Sequence, residues 1–204
     1  MCYSTFKLLS DSHLHKIPNG EYIHIPDFYD ATNSKLFLDD LTNRISWTQE
    51  KMNMFGREIN FPRLMAFYGD EGVSYSFSKN TFFALAWTES LLKMKSDLEQ
   101  QFDVKLNSVL LNYYRDGNDS MDWHQDNEKE LGLNPVIASL NFGASRKFQL
   151  KNLQTKEKID LLLENGSLLI MQGSLQHYWQ HRAPKTKKQC GPRINLTFRY
   201  IKNS

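Results

Sequence analysis

With 204 residues, 40% hydrophobic and 24% charged, the chain has the size and composition of one globular domain whose core needs no covalent staples. A net charge of +2 does not mark it as a general polyanion binder, and its two cysteines, Cys2 and Cys190, exclude a disulfide framework and point to a reducing, intracellular setting. No charged start leads into an apolar signal core, no apolar run reaches the length of a membrane span, and no repeat or low-complexity linker divides the chain, so one monomeric domain off the membrane is expected.

Residues 1–27 carry His13, His15, Pro18, Gly20 and Pro26 around one alternating segment, Tyr22-Ile-His-Ile25. They read as an irregular arm ending in a strand. His13 and His15 have the spacing of a metal pair, but lack an acidic neighbour and read as a surface pair. The segment 27–45 opens on a cap signal and places apolar residues at 36, 37, 38, 41 and 45, an amphipathic supporting helix. Between 46 and 83 aromatic residues (Trp47, Phe55, Phe61, Phe67, Tyr68, Tyr75, Phe77) interleave with Arg57, Arg63 and glycines at 56, 69 and 72. Most of these positions suit the core of a meander, and the same composition suits a lid that stacks on bases or another substrate. Val73-Ser-Tyr-Ser-Phe-Ser78 alternates strictly, which puts Tyr75 and Phe77 on one face. A second helix spans 86–102, apolar at 87, 91, 94, 98 and 102. After it, β-type runs at 107–114, 136–142, 146–151, 158–163, 166–171 and 194–201 alternate with Gly, Asn and Lys breaks, the pattern of an antiparallel sandwich or jelly roll.

Chemistry concentrates between Leu111 and Glu128. His124 and Asp126 lie two apart, so on extended backbone an imidazole and a carboxylate point to the same side. Together they are two thirds of the 2-His-1-carboxylate triad that holds non-haem Fe(II) with open positions. The third ligand comes from His177 or His181, both beyond the run 166–172; Gly173, Ser174 and Pro184 around them argue against a helix that would bring both to one metal. Gly191-Pro-Arg-Ile-Asn-Leu-Thr-Phe-Arg-Tyr200 alternates so that Arg193, Asn195, Thr197 and Arg199 share one face and Ile194, Leu196 and Phe198 the other. That polar face is either exposed or, if buried, in need of an anion for its guanidinium groups, and a dicarboxylate suits them. Arg182, Lys185, Lys187, Lys188 and Arg193 form a basic cluster that reads equally as a solvated loop or as a rim for a polyanionic substrate.

His124-x-Asp126 together with Arg193-x-Asn-Leu-Thr-Phe-x-Arg199 resembles the AlkB family of Fe(II)- and 2-oxoglutarate-dependent nucleic-acid dealkylases. Ala138-Ser-Leu-Asn-Phe-Gly-Ala-Ser-Arg146 matches the same family, and the likeness runs from about residue 54 to 201. It implies an α+β fold: a double-stranded β-helix (jelly roll) over about 106–201, N-terminal arm and helix over about 1–50, and a nucleotide-recognition lid over about 51–83. Trp179-Gln-His-Arg-Ala-Pro184 resembles the family's third-ligand segment in its animal DNA-repair members and selects His181. The resemblance further implies Fe(II) on His124, Asp126 and His181. It puts Asn112, Tyr114 and Arg193 at the distal carboxylate of 2-oxoglutarate, with Asn195 and Arg199 toward the end that chelates iron.

By the same likeness Tyr75 and Phe77 flank the extracted base, Phe55 with Arg63 belongs to a finger that fills the gap left by a flipped nucleotide, and Asn127 and Glu128 meet the damaged base. Asn127 departs from the family's second aspartate and lacks its negative charge. The implied function is oxidative demethylation of bases such as 1-methyladenine and 3-methylcytosine in DNA, with O2 as co-substrate. The alternatives are an RNA demethylase of the same fold, a catalytically silent jelly-roll module that binds nucleic acid, and an oxygenase of protein or small metabolites.

Overall fold

The computed structural model describes residues 13–202 apart from 55, 78 and 79, and without the side chains of 52–54, 77 and 80. The chain runs β1 (Leu14–Ile17), β2 (Gly20–Ile25), α1 (Ala31–Arg44), β3 (Lys51–Met54), β4 (Arg57–Asn60), β5 (Leu64–Gly69), β6 (Ser74–Phe77), β7 (Asn80–Phe83) and α2 (Glu89–Phe102). It continues through β8 (Ser108–Tyr114), β9 (Met121–His124), β10 (Ile137–Gly143), β11 (Arg146–Asn152), β12 (Lys158–Leu163), β13 (Leu168–Gln172), α3 (Leu175–Tyr178), β14 (Trp179–Ala183) and β15 (Arg193–Arg199). A seven-stranded sheet in the order β1-β2-β13-β10-β15-β8-β5 faces a four-stranded sheet in the order β12-β11-β14-β9, and every pairing is antiparallel. This is the jelly roll expected from the spacing of the β runs.

Strand alternation divides the apolar side chains between two cores. One face of the large sheet, with Leu111, Ala138, Leu140, Leu168, Ile170, Ile194, Leu196 and Phe198, packs under Leu41 of α1 and Leu91, Met94 and Leu98 of α2. The other face, with Leu110, Ile137, Leu169 and Met171, meets Phe148, Leu150 and Leu163 of the small sheet. Phe142, Phe198 and Trp179 are fully buried, and truncating one to alanine costs roughly 3–5 kcal/mol. The molecule is therefore three layers, helices over sheet over sheet, and the space between the sheets is where polar side chains need a reason to be.

Each helix begins where a side chain caps it. Asp30 accepts from the Asn33 N–H at 2.8 Å, so α1 starts at Ala31 and not at 27. The Thr88 hydroxyl accepts from the Leu91 N–H at 3.3 Å, which fixes the start of α2 three residues later than apolar spacing alone suggests. Gly143 ends β10 at φ +90°, and a Cβ there would collide with the Pro192 carbonyl, so glycine permits the close approach that sets Gly143 opposite Arg193.

Three expectations change. The N-terminal arm contains two strands, and β2 joins the large sheet by pairing with β13, with the Trp179 indole N–H donating to the Pro18 carbonyl at 2.8 Å. Within 51–83, β5 is a core strand paired with β8, and the hairpins β3-β4 and β6-β7 are what stand outside the two sheets. The segment 173–184, where glycine, serine and proline argue against a helix, holds the one-turn helix α3 and then β14, a strand of the small sheet.

Candidate metal and co-substrate site

Strand β9 ends on His124, and β14 places His181 directly across from it in register. The two imidazoles meet edge to face, centroids 4.1 Å apart, and His181 Nε2 lies 3.5 Å from Asp126 Oδ2. One ligand atom from each of His124, Asp126 and His181 falls within 4.8 Å of the others. The expected triad is assembled. His177 is not part of it: it is exposed on α3, its Nε2 facing the Leu133 carbonyl and lying 3.0 Å from Asn134 Oδ1.

The surroundings orient these groups. His124 Nδ1 lies 2.8 Å from the Asp122 carbonyl, which can only accept, so Nδ1 carries the proton and Nε2 presents its lone pair inward. Gln176, fully buried on α3, accepts from the Asp126 N–H at 2.9 Å, and its own carbonyl receives Gln125 Nε2 at 2.7 Å. Phe148 stacks on His181 at 5.5 Å. Gln176 and Phe148 were not singled out from the sequence. For Phe148 the signal was available, since its alternation with Leu150 in β11 points it between the sheets.

Electrostatics favour a cation bound by neutral imidazole and ionised carboxylate. Burial, then the neighbouring His181, lowers the pKa of His124 from 6.5 to about 3. Burial opposes ionisation of Asp126, but Arg199 beside it, with His181 and His124, holds its carboxyl well below the usual carboxylate range. Arg199 Nη2 donates to Asp126 Oδ1 at 2.8 Å, and its guanidinium lies over the Tyr75 ring at 5.1 Å.

The polar face of β15 is buried, as are all seven of its residues. It lines an inner cavity between the sheets together with Asn112, Tyr114, His124, Asp126 and His181. Only one of its two arginines needs an external anion, since Arg199 is already paired with Asp126. Arg193, 2% exposed, donates Nη2 to Asn141 Oδ1 at 2.5 Å and lies over the Tyr114 ring at 5.0 Å, while its Nε and Nη1 are buried without a partner. Two guanidinium nitrogens without a partner, on a residue that lines the inner cavity, are a fit for a carboxylate. Asn195 donates to Ser139 Oγ at 2.8 Å, and the Asn112 side-chain oxygen accepts from Arg63 Nε at 2.6 Å.

A second, larger cavity opens from the same ligands to the surface, lined by Arg63, Tyr75, Trp123, Glu128, Arg182 and Lys185 among others. His124, Asp126, Met121 and Arg199 belong to both walls. The Tyr75 hydroxyl hydrogen-bonds Glu128, whose other carboxylate oxygen, Oε2, is buried and unpartnered. Burial first, and Asp126 second, push the Glu128 carboxyl up.

Among the expected substrate contacts and the basic cluster, three residues are more buried or more exposed than such a role suggests. Asn127 is exposed and borders neither cavity, because with Asp126 and Glu128 turned inward the residue between them turns out. Arg63 borders the outer cavity but is buried there, holding Asn112 and donating to the Ser120 carbonyl at 3.3 Å. Arg193 is likewise no part of a basic rim. Phe55 lies outside the described residues, as does the side chain of Phe77; the backbone of Phe77 ends β6.

The family model described as 2OG-Fe(II) oxygenase superfamily matches residues 21–199. Mouse alpha-ketoglutarate-dependent dioxygenase alkB homolog 3 is 38% identical over 186 residues, covering 86% of this chain and 64% of the relative. Bovine DNA oxidative demethylase ALKBH2 is 36% identical over 159 residues, 74% of this chain and 57% of the relative. ALKBH2 of Arabidopsis thaliana is 33% identical over 212 residues, 89% of this chain and 67% of the relative. The chain thus spans a little under two thirds of the alkB homolog 3 proteins it matches. The solved structure of OsALKBH1 superposes with a TM-score of 0.64 over 91% of this chain at 16% identity, a likeness of fold. A buried His-Asp-His set beside an arginine with free N–H groups suits Fe(II) and 2-oxoglutarate, and the chain belongs to the 2OG-Fe(II) oxygenase superfamily and, within it, to the AlkB family.

Proposed function

We propose that this chain oxidatively removes N-alkyl groups from nucleic-acid bases, acting on lesions such as 1-methyladenine and 3-methylcytosine in DNA. The observation that carries this reading is the meeting of two unlike cavities at one ligand set. The inner one lies between the sheets and carries the Arg193 guanidinium; the outer one is larger, opens to the surface and is lined by Tyr75, Trp123 and the Glu128 carboxylate. A small co-substrate and a bulky planar base thereby reach the same point from opposite sides.

His124, Asp126 and His181 would hold Fe(II), and Arg193, braced by Asn141 and Tyr114, would bind the distal carboxylate of 2-oxoglutarate, with Asn112 beside it. Bound Fe(II), with 2-oxoglutarate and O2, supplies the oxidant that hydroxylates the alkyl carbon; the product then loses the carbon as aldehyde. The protein's part is position and dryness. Asn195 and Thr197 line the inner cavity alongside the co-substrate. Arg199 fixes the Asp126 carboxylate in one orientation, leaving Oδ2 toward the two imidazoles. Glu128, which borders the outer cavity and whose Oε2 has no donor, would accept from the exocyclic amino group of a bound base. A negative charge there also favours a cationic methylated base.

DNA is proposed as the polymer because relatives of this chain bear the name DNA oxidative demethylase; RNA methylated at the same atoms is the runner-up. Formaldehyde release from 3-methylcytosine in DNA, in RNA of the same sequence and in the free nucleoside tests the reading. Wild-type protein is expected to release formaldehyde from DNA fastest and from nucleoside slowest. Succinate formation without formaldehyde from any methylated substrate would overturn it.

A further inference from the structure

The small sheet has two faces, and only its inner one is used by the site. Phe148, Leu150 and His181 point inward, so Lys147, Gln149, Lys151, Gln180 and Arg182 on β11 and β14, with Trp123 on β9, form the opposite face. On it, Trp123 is covered by two cations, Lys151 Nζ at 4.4 Å and the Arg182 guanidinium at 4.4 Å from the ring centroid. A chain of polar contacts sets the guanidinium. Lys147 pairs with Asp160 at 2.8 Å, Asp160 accepts from Gln149 Nε2 at 2.6 Å, and Gln149 Oε1 accepts from Arg182 Nε at 2.7 Å.

That chain consumes one lysine and one aspartate against each other, and it leaves both terminal nitrogens of Arg182 without a hydrogen bond among the described residues. Lys151, half-buried, likewise has no carboxylate partner among them, and its register partner on β12 is the exposed Lys158. Asp160, already paired with Lys147, also feels the Lys158 charge, so one carboxylate serves two lysines and the face keeps an excess of positive charge that a phosphate can offset. Trp123, Arg182 and the exposed Lys185 also border the outer cavity, so this face continues from the cavity mouth.

We propose that the strand leaving the outer cavity crosses this face, its sugar-phosphate backbone lying on Lys151, Lys158 and Arg182 and a base or sugar resting at the Trp123 edge. This rests on the dealkylase reading for the polymer that occupies the cavity. Two cations on Trp123 and a third, Lys158, in register with Lys151 have the form of a single-strand track, cations along a backbone path beside an aromatic ring. The face would grip nucleotides adjacent to the lesion, so a long single strand is favoured over the same lesion in a mono- or trinucleotide.

The test uses the full chain and the double variant Lys151→Glu/Lys158→Glu, neither residue having a part in the metal site, with Lys151→Ala as a milder form should charge reversal impair folding. Anisotropy of a long unmodified single-stranded oligonucleotide reads binding without turnover. Binding is expected to weaken about tenfold or more, with a salt dependence shallower by roughly 0.7 in log–log slope for each phosphate that the variant no longer neutralises. In turnover, KM for the long methylated strand should rise by a similar factor while kcat and KM for a methylated trinucleotide stay as in wild type. Unchanged oligonucleotide affinity, or equal losses on long and short substrates, would overturn the track. If wild type turns over no methylated substrate, the dealkylase reading fails, and the anisotropy comparison still decides the track.

Discussion

Arg199 and Asp126 form a fully buried ion pair at 2.8 Å, joining the last strand of the jelly roll to the carboxylate of the metal site. The pair serves stability and geometry at once. Removing the cation leaves a carboxylate in a low-dielectric space with no counter-charge, which costs about 3–5 kcal/mol. Arg199→Met should therefore lower the stability of the iron-free protein by that amount in chemical denaturation. Asp126→Asn/Arg199→Met, with both charges gone, should lose less than Arg199→Met alone. Additive losses would mean that the two side chains are not coupled.

Arg193 is the group whose unsatisfied N–H positions ask for an anion. Arg193→Gln should raise KM for 2-oxoglutarate by about 100-fold, the loss of a charge-assisted, bidentate hydrogen bond, with a smaller effect on KM for the nucleic acid. Steady-state kinetics with each substrate varied in turn separates the two. Equal changes in both constants would place the co-substrate carboxylate elsewhere.

Gln176 touches no substrate, yet it accepts the Asp126 N–H from a fully buried position. Gln176→Leu should weaken iron binding on the order of tenfold, the usual consequence of losing a group that orients a ligand. Competition with a metal chelator measures it directly. Affinity equal to wild type would show that β9 alone fixes Asp126.

Glu128 and Asn127 are adjacent but face opposite ways. Glu128→Gln should lower kcat/KM on methylated polymer by roughly 10–100-fold, the loss of one charged hydrogen bond at a half-buried carboxylate, while leaving succinate formation uncoupled from substrate intact. Asn127→Ala should change kcat/KM by less than about twofold, as an exposed substitution does. The reverse ranking in kcat/KM would show that the chain between 126 and 128 turns over when substrate binds.

Acid should destabilise the iron-free protein through His124. Burial and His181 hold its folded pKa at about 3 against 6.5, so the unfolded chain takes up a proton that the folded one refuses. Its contribution to stability is fully present above pH 6.5, declines as pH falls below that and levels off near 3. Asp126 acts in the same sense at lower pH, its contribution lost as pH falls through its depressed folded value. Denaturation midpoints measured from pH 8 to 4 should fall below 6.5, and His124→Gln should flatten the upper part of that fall. Parallel curves for both proteins would remove His124 as the cause.

The residues that carry chemistry were legible because their periodicity is strict. His124 and Asp126 at alternate positions, and Arg193, Asn195, Thr197 and Arg199 on one face of β15, follow from the side-chain period of a strand, and the structure keeps both patterns. The choice between His177 and His181 depended on resemblance, because a one-turn helix followed at once by a strand leaves no periodic signal in so short a stretch. Among the strands missed, β9 and β14 have polar or short sequences; β14 is placed by pairing with β11, and β9 by pairing with β14. Gln176 and Asn141 were invisible for a related reason. Each acts through hydrogen bonds to partners far away in sequence, and only the folded chain brings those partners together.

The most direct measurement adds Fe(II) and 2-oxoglutarate anaerobically to the purified protein and follows the weak visible charge-transfer band of the chelated co-substrate. Wild type should develop it at one iron per chain, Asp126→Ala should not, and Arg193→Gln should need far more 2-oxoglutarate to reach it. A wild-type protein that shows no band with both present, or an Asp126→Ala protein that shows it undiminished, would contradict a metal centre built from His124, Asp126 and His181.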